Sequence, residues 1–544
     1  MIAWTDHLIV APIALPLASG AVMLMLGERR HVAKSAISIL TTLLLLAVSL
    51  ALVHSTSGTG LSSDTAPNAR AYLIGDWPAP FGIVLVLDRL SALMLVLTAI
   101  LGCTTLVYGF ARWNRAGPRF HTLFLFQLMG LNGAFLTGDL FNLFVFFEVV
   151  LSASYGLLLH GSGTDRVRIG LHYVAINVAT SLLFLIGVSL IYGVTGTLNM
   201  ADLTAHIAAV PPGDLALLQS GAAILGLAFL VKAGMWPLGF WLPTAYSAAT
   251  PPVAALFVIL SKVGIYALLR TSLLFFGDEA GAAFHFADDV LLWGGMATIA
   301  FGTIGVLSSQ TLSRLAGFCI VISSGTLLAT VGTGNVTVLS GALFYLASST
   351  LGISAFYLLI ELVERGETER GSAPLTEPVF DDEYTGALEP DEGSEVGVVI
   401  PATIALLGGG FIFCSILLAG LPPLSGFIAK FAILDGLIGL QRITAPSTWV
   451  LIALIILSGV ATLVAMTRAG IDLLWTPGEG AQTDLRLIEA APVGILLALC
   501  LGLMIFAGPV VAYMEETARA LHDRGAYRSA VTSAPRANSP KVSR

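Results

Sequence analysis

Long apolar runs separated by short polar stretches dominate this chain. A membrane-crossing helix needs about 20 mostly apolar residues. Fourteen runs meet that requirement, near residues 8–26, 35–54, 82–108, 120–136, 140–160, 170–193, 216–243, 251–275, 289–307, 313–331, 335–362, 397–437, 447–473 and 487–513. The run at 397–437 is too long for one straight crossing. It holds Gly408-Gly409-Gly410 and Leu421-Pro422-Pro423, and reads as one helix broken near the prolines. The first run follows Asp6 and His7 and has no small-residue cleavage site, so it reads as a retained helix rather than a signal peptide. The pattern predicts an all-α polytopic membrane protein with about 14 transmembrane helices.

Composition supports that reading and narrows the chemistry. Of 544 residues 56% are hydrophobic and 11% charged, less than half the roughly 25% charge of soluble domains. A soluble multidomain protein, a disordered chain, a disulfide scaffold and a nucleic-acid binder are excluded. Cys103, Cys319, Cys414 and Cys500 lie far apart in apolar stretches, as inert buried thiols do. The chain has no GxxxxGK[ST], no HExxH, no CxxCH and no cysteine cluster. No cofactor, nucleotide or metal is therefore expected. Energy must come from an ion gradient or from partner subunits.

Charge distribution sets the topology. With the N-terminus outside, thirteen basic residues fall in inner loops (Arg29, Arg30, Lys34, Arg112, Arg115, Arg119, Arg166, Arg168, Arg314, Arg365, Arg370, Arg468 and Arg486) against Arg70, Arg270 and Arg442 outside. Positive residues concentrate on the inner side, so both termini are expected outside the cell (inner) membrane. The tail from Arg519 carries six more basic residues. Twelve of the 34 acidic residues crowd into 361–395, a polar segment that reads as a flexible inner loop. The net charge of −8 is thus a loop property.

Four charges stand in the wrong solvent. Each costs roughly 2.5–3.5 kcal/mol near the bilayer centre, so such groups pair or face a wet cavity. Glu148 lies about ten residues past Gly138-Asp139, roughly 15 Å into a core of about 30 Å. Lys262 stands near the middle of its span. Lys232 precedes Pro237 and Pro243, and Lys430 follows Pro422 and Pro423, so each of these lysines adjoins a predicted helix break. Two interrupted helices with charges beside the breaks is a transporter pattern. A Glu148–Lys232 pair that opens and closes would change the proton affinity of both groups. Lys262 could then pass the proton on, and Lys430 outward. Asp435 and His172 are accessory candidates for the path, and Asp88-Arg89 reads as an interfacial anchor.

The segments FLTGDLFNLFVFFEVVLSASYGLLL (135–159), YGVTGTLNMADL (192–203), the long run from Lys232 to Arg270 and LPPLSGFIAKF (421–431) resemble the D subunit of Mrp-type multisubunit cation/proton antiporters. That subunit is similar to the antiporter-like subunits of respiratory complex I. The resemblance implies two inverted five-helix repeats with helices 7 and 12 broken, and a hydrated charged axis at mid-membrane. It divides the chain into helices 1–3 (1–118), a first repeat of helices 4–8 (119–275), a second repeat of helices 9–13 (289–475), helix 14 (486–513) and a polar tail (514–544). Glu148, Lys232, Lys262 and Lys430 match the family's glutamate and lysines. Where relatives often carry KRLLAYSSISHxG this chain has SRLAGFCIVISSG (313–325), with Ser313 for the lysine and Ser323 where His or Gln is frequent. In YLASSTLGISAF (345–356), Ser349 and Ile353 stand where relatives often show His and Lys. The middle of the path must therefore rely on water and hydroxyls such as Ser323 and Ser349.

The function implied is proton translocation in a Na+ (or K+)/H+ antiporter complex, a transporter and not an enzyme. Its expected partners are other membrane subunits, lipid, H+ and Na+ or K+. The alternative is an antiporter-like subunit of a redox-driven pump, of NADH:quinone oxidoreductase or membrane hydrogenase type. The spans hold no cluster of carboxylates for a hard cation, which points to a partner interface for the exchanged ion.

Overall fold

A computed structural model describes residues 4–27, 30–56, 69–115, 119–161, 163–277, 286–371, 402–439, 446–474 and 485–534. Arg29, Arg442, residues 372–395 of the expected acidic loop and the tail beyond 534 lie outside the described residues. The helices are α1 (Ala11–Met25), α2 (His31–Thr56), α3 (Arg89–Ala111), α4 (Phe120–Leu136), α5 (Leu140–Leu158), α6 (Thr164–Thr195), α7 (Met200–Ala208), α8 (Leu215–Ala233), α9 (Trp241–Ala248) and α10 (Pro251–Phe276). They continue with α11 (Asp288–Ser308), α12 (Leu312–Val331), α13 (Val336–Gly371), α14 (Ala402–Ala419), α15 (Ser425–Ile438), α16 (Pro446–Leu474), α17 (Leu487–Ile505), α18 (Ala507–His522) and α19 (Arg524–Thr532).

Eleven of these helices are long and apolar enough to cross a membrane, and α1, α4 and α14 are shorter apolar helices. Together they supply fourteen crossings, with α9 and α15 completing spans seven and twelve. The breaks recur five spans apart. Because five is odd, the two broken spans run in opposite directions, as inverted repeats require. Most of α10 and residues 338–360 of α13 are buried, and these helices form the centre of the bundle, packed on each other and on α8, α12 and α15. Elsewhere the surface is apolar: Leu40, Leu171, Leu182, Ile304 and Val460 all face outward, as a lipid-facing surface demands.

Both ends of the described chain meet on one face. A 3-10 turn at Trp4–Ile9 packs against a hairpin of β1 (Ala69–Leu73) and β2 (Val84–Asp88), and α19 packs against β1 and α7. The hairpin runs antiparallel with Ala69 opposite Asp88 and Leu73 opposite Val84. Two motifs singled out above are joined here. Asp139 caps α5 by accepting from the Phe141 and Asn142 amides at 2.8 and 3.0 Å, and Asn199 caps α7 in the same way. Their backbones also pair, with Leu140 donating to Leu198 and Met200 to Gly138. The opposite face is closed by a charged cluster. Arg365 holds Glu489 through two bonds of 3.0 Å and Glu361 at 2.7 Å, while Glu361 also accepts from Tyr108 and Trp113. This ties α3, α13 and α17 together.

Two boundaries differ from the apolar pattern. The run at 82–108 begins as strand, because Val84–Asp88 is buried on both faces and a continuous apolar run carries no periodicity to separate strand from helix. The run at 487–513 is two helices, not one. Gly508-Pro509 follows the interruption at Phe506, and proline is tolerated only in the first turn of the new helix. The tail beyond 513 is accordingly helical as far as Thr532.

Candidate functional site

The two breaks are built from nearly the same sequence. Ala233-Gly234-Met235-Trp236-Pro237-Leu238 ends α8, and Ala419-Gly420-Leu421-Pro422-Pro423-Leu424 ends α14. Gly234 and Gly420 have φ of 78° and 76°, a left-handed turn that glycine accepts without a Cβ clash. Pro237, Pro422 and Pro423 lie in the non-helical stretches that follow. Pro243 does not: it occupies the first turn of α9, buried against Gly317. It therefore does not contribute to the break itself.

Each broken span brings an ammonium to the C-terminal end of its first half-helix. Lys232 lies in the last turn of α8. Lys430, on α15, reaches back so that its Nζ donates to the Ala419 carbonyl at 2.9 Å. Helix C-termini carry unsatisfied carbonyls and partial negative charge, which favours a cation there. Gly459 of α16 leaves room for this ammonium, since a Cβ at that position would lie 3.1 Å from Nζ.

Around Lys232 the arrangement is indirect. Its Nζ donates to Asn177 Oδ1 at 2.9 Å, and Ser181, one turn further along α6, donates to a Glu148 carboxylate oxygen. Glu148 and Lys232 thus each bond to α6, with no direct ion pair between them. Among the described residues no carboxylate lies within 4.0 Å of Lys232, Lys262 or Lys430. A cavity of about 30 Å³ adjoins Lys232, lined by Asn177, Tyr173, Trp241, Tyr246 and, from α10, Leu260 and Val263. That is room for one water. The buried indole Nε1 of Trp241 has no acceptor among the described residues.

Lys262 is fully buried at the centre of α10. Gly264 brings α8 so close that a Cβ there would sit 2.6 Å from the Ala233 nitrogen. The Lys262 ammonium donates to Ser323 Oγ at 2.7 Å, and Ser323 and Ser349 share a bond of 3.0 Å. A second small cavity, about 20 Å³, opens between Ser349, Ser348, Cys319, Tyr345, Gly426 and Thr462. Ser348 joins Ser425, at the start of α15, at 2.8 Å. Ser323, in contact with Lys262, and Ser349, bonded to Ser323, thus lie between Lys262 and α15, the helix that carries Lys430.

Other candidates are not gathered in. His172 lies on the exposed side of α6, its Nδ1 bonded to the Arg168 carbonyl at 2.9 Å. Asp435 is exposed near the end of α15. Of the polar positions on the Glu148 helix, Ser152 faces outward, and Tyr155 packs edge-on against Tyr173. Among the described residues no group of three or more His, Cys, Asp or Glu converges.

Some functional geometry was hidden in the sequence. Asn177 and Ser181 are ordinary polar residues at a spacing of four, and only the fold turns them toward Lys232 and Glu148. Asp88 is not a simple interfacial anchor: it caps α3 through Ser91 and forms a buried ion pair with Arg270. Arg270 also donates to Tyr266 and lies under the rings of Tyr266 and Tyr527, the latter from α19. The repeated Ala-Gly-x-x-Pro-Leu was the available signal for the paired breaks.

Comparison with known proteins places these features in a family. The family model for "NADH:quinone oxidoreductase/Mrp antiporter, TM" matches residues 137–376, which include Glu148, Lys232, Lys262, Ser323 and Ser349. The chain is 55% identical to a Rhizobium meliloti (strain 1021) protein named as the probable D subunit of a K(+)/H(+) antiporter, over 98% of this chain and 99% of that one. It is 33% identical to the D subunit of a Na(+)/H(+) antiporter from Alkalihalophilus pseudofirmus, over 97% and 99%. Its fold matches a chain of the Mrp complex from Dietzia sp. DQ12-45-1b with a TM-score of 0.81 at 23% identity, covering 98% of this chain and 100% of that one. A multi-span bundle with paired broken helices and an intramembrane glutamate and lysines, alike along its whole length to such proteins, belongs to the D-subunit family of Mrp-type cation/proton antiporters, relatives of the membrane subunits of complex I.

Proposed function

We propose that this chain is the proton-translocating subunit of a multisubunit Na+ or K+/H+ antiporter, with protons moving along a line from the half-buried Glu148 and Lys232 to the buried Lys262 and Lys430. The observation that carries this reading is the setting of Lys262: a fully buried ammonium whose hydrogen-bond partner is a hydroxyl, itself bonded to a second hydroxyl. A lysine against a carboxylate is held in its charged form by that partner. A lysine on a hydroxyl can give up its proton without leaving a buried negative charge behind. Serine both donates and accepts, so Ser323 and Ser349 can relay between Lys262 and water in the adjoining cavity.

The names of the whole-length relatives support an antiporter over a redox-driven pump, and they differ in the cation. Among the described residues no group of three or more His, Cys, Asp or Glu converges to hold a bare cation, which favours exchange of Na+ or K+ at an interface with another subunit. The distribution of Lys and Arg supports a cell-membrane orientation with both termini outside.

The test uses the assembled complex in inverted membrane vesicles carrying a preset pH gradient. Addition of Na+ or K+ dissipates the gradient, and the ion that acts at lower concentration is the physiological one. Ser323→Val removes the acceptor of the Lys262 ammonium and is expected to slow exchange roughly ten- to a hundredfold. Ser323→Thr, which keeps the hydroxyl, retains it. Equal rates for Val and wild type remove Ser323 from the path.

A further inference from the structure

Glu148 and Lys232 are half-buried and carry opposite charges, and partial removal from water strengthens the attraction between such groups. They nevertheless stay apart in the structure, and helix α6 supplies the reason. Asn177 accepts from Lys232 at 2.9 Å while its own Nδ2 donates to the Tyr173 carbonyl at 2.8 Å. That second bond fixes the amide: its nitrogen is committed to the backbone, so its oxygen must face the ammonium. Ser181, four residues on and therefore on the same face of α6, occupies a carboxylate oxygen of Glu148. Each charge is satisfied by a neutral group on a third helix.

We propose that Asn177 and Ser181 act as a spacer that holds the Glu148–Lys232 pair in its separated state, and so set how readily Lys232 exchanges a proton. Both are positioning residues, and the inference rests on the proton path proposed above. Closure would gain a charge–charge contact, and against it stand the bonds to Asn177 and Ser181, which hold each charged group on α6 and would be stretched as the two groups move together. The titratable groups facing Lys232 are Glu148 from α5, Tyr173 from α6 and Tyr246 from α9, while α10 offers only Leu260 and Val263. Among the described residues, Glu148 is thus the carboxylate available to pair with Lys232 when the spacer is removed.

The test is the pH profile of exchange by the assembled complex. Asn177→Leu keeps the side-chain size and deletes the acceptor, leaving Glu148 as the partner for the ammonium. The pair closes, Lys232 holds its proton more tightly, and the midpoint of the profile moves about one pH unit alkaline, a tenfold change in proton affinity. Ser181→Ala, the milder change, moves it the same way by less. Glu148→Gln in parallel separates the two ideas. If Glu148→Gln exchanges normally, the proton path itself is wrong. If Glu148→Gln is inactive while both α6 variants keep the wild-type profile, or move it acid, the spacer is wrong and the path stands.

Discussion

Glu148→Gln in the assembled complex is expected to reduce cation-driven proton exchange at least about a hundredfold, to the level of empty vesicles, at every pH. The substitution is nearly isosteric, and the glutamine oxygen still accepts from Ser181, so the packing of α5 on α6 survives. What disappears is the charge. Without a carboxylate to approach, the Lys232 ammonium stays on Asn177 and nothing drives its proton onward. Lys262→Met, which keeps the length of the apolar stem and loses the ammonium, has the same outcome. Copurification of the other subunits provides the control for assembly. Full exchange by either variant, with the complex intact, sinks the proposed path.

Asp88→Asn is expected to be the most destabilising single substitution on the face where the termini meet. Asp88 is 6% and Arg270 5% exposed. Loss of the carboxylate charge leaves a buried guanidinium with no carboxylate partner among the described residues, held by the remaining amide oxygen, the Tyr266 hydroxyl and two aromatic rings. Breaking a buried pair from one side costs roughly 3–5 kcal/mol. Burial pushes the Asp88 carboxyl up, but the charge and hydrogen bonds of Arg270 together with the Ser91 bonds outweigh it, and the net direction is down. A lowered folded value means that the pair's contribution is complete above the unfolded carboxylate value of about 4. It is lost as the pH falls through the folded value. Thermal unfolding of the purified complex should therefore separate wild type from Asp88→Asn widely at pH 7, with the gap closing in strong acid. A gap that is constant across pH would assign the loss to packing instead.

Hydropathy alone places the fourteen crossings, because in lipid the backbone must bond internally and only apolar helices remain. The same reasoning isolates Glu148 and the three lysines: a charge in an apolar run is conspicuous at any position. Contacts between distant neutral residues leave no such mark. Asn177 and Ser181 resemble many other polar residues in membrane helices, and their partners lie 55 and 33 positions away. Asp88 and Arg270 are separated by 182 residues and each reads alone as a boundary charge. The β2 strand was hidden for a different reason, since its five buried residues continue directly into the apolar helix α3. His172 looked promising only because its depth could be counted while the direction it faces could not.

The two serines beyond Lys262 have a bearing on kinetics. A hydroxyl conducts but does not store: near neutral pH it carries no resident charge, whereas histidine or lysine would each hold a proton for a finite dwell time. If protons follow the proposed path, the segment from Lys262 toward Lys430 would act as a wire without a reservoir, with charge waiting at the lysines that flank it. Its throughput should depend on hydration and hydroxyl rotation, with a small solvent isotope effect and no pH step of its own.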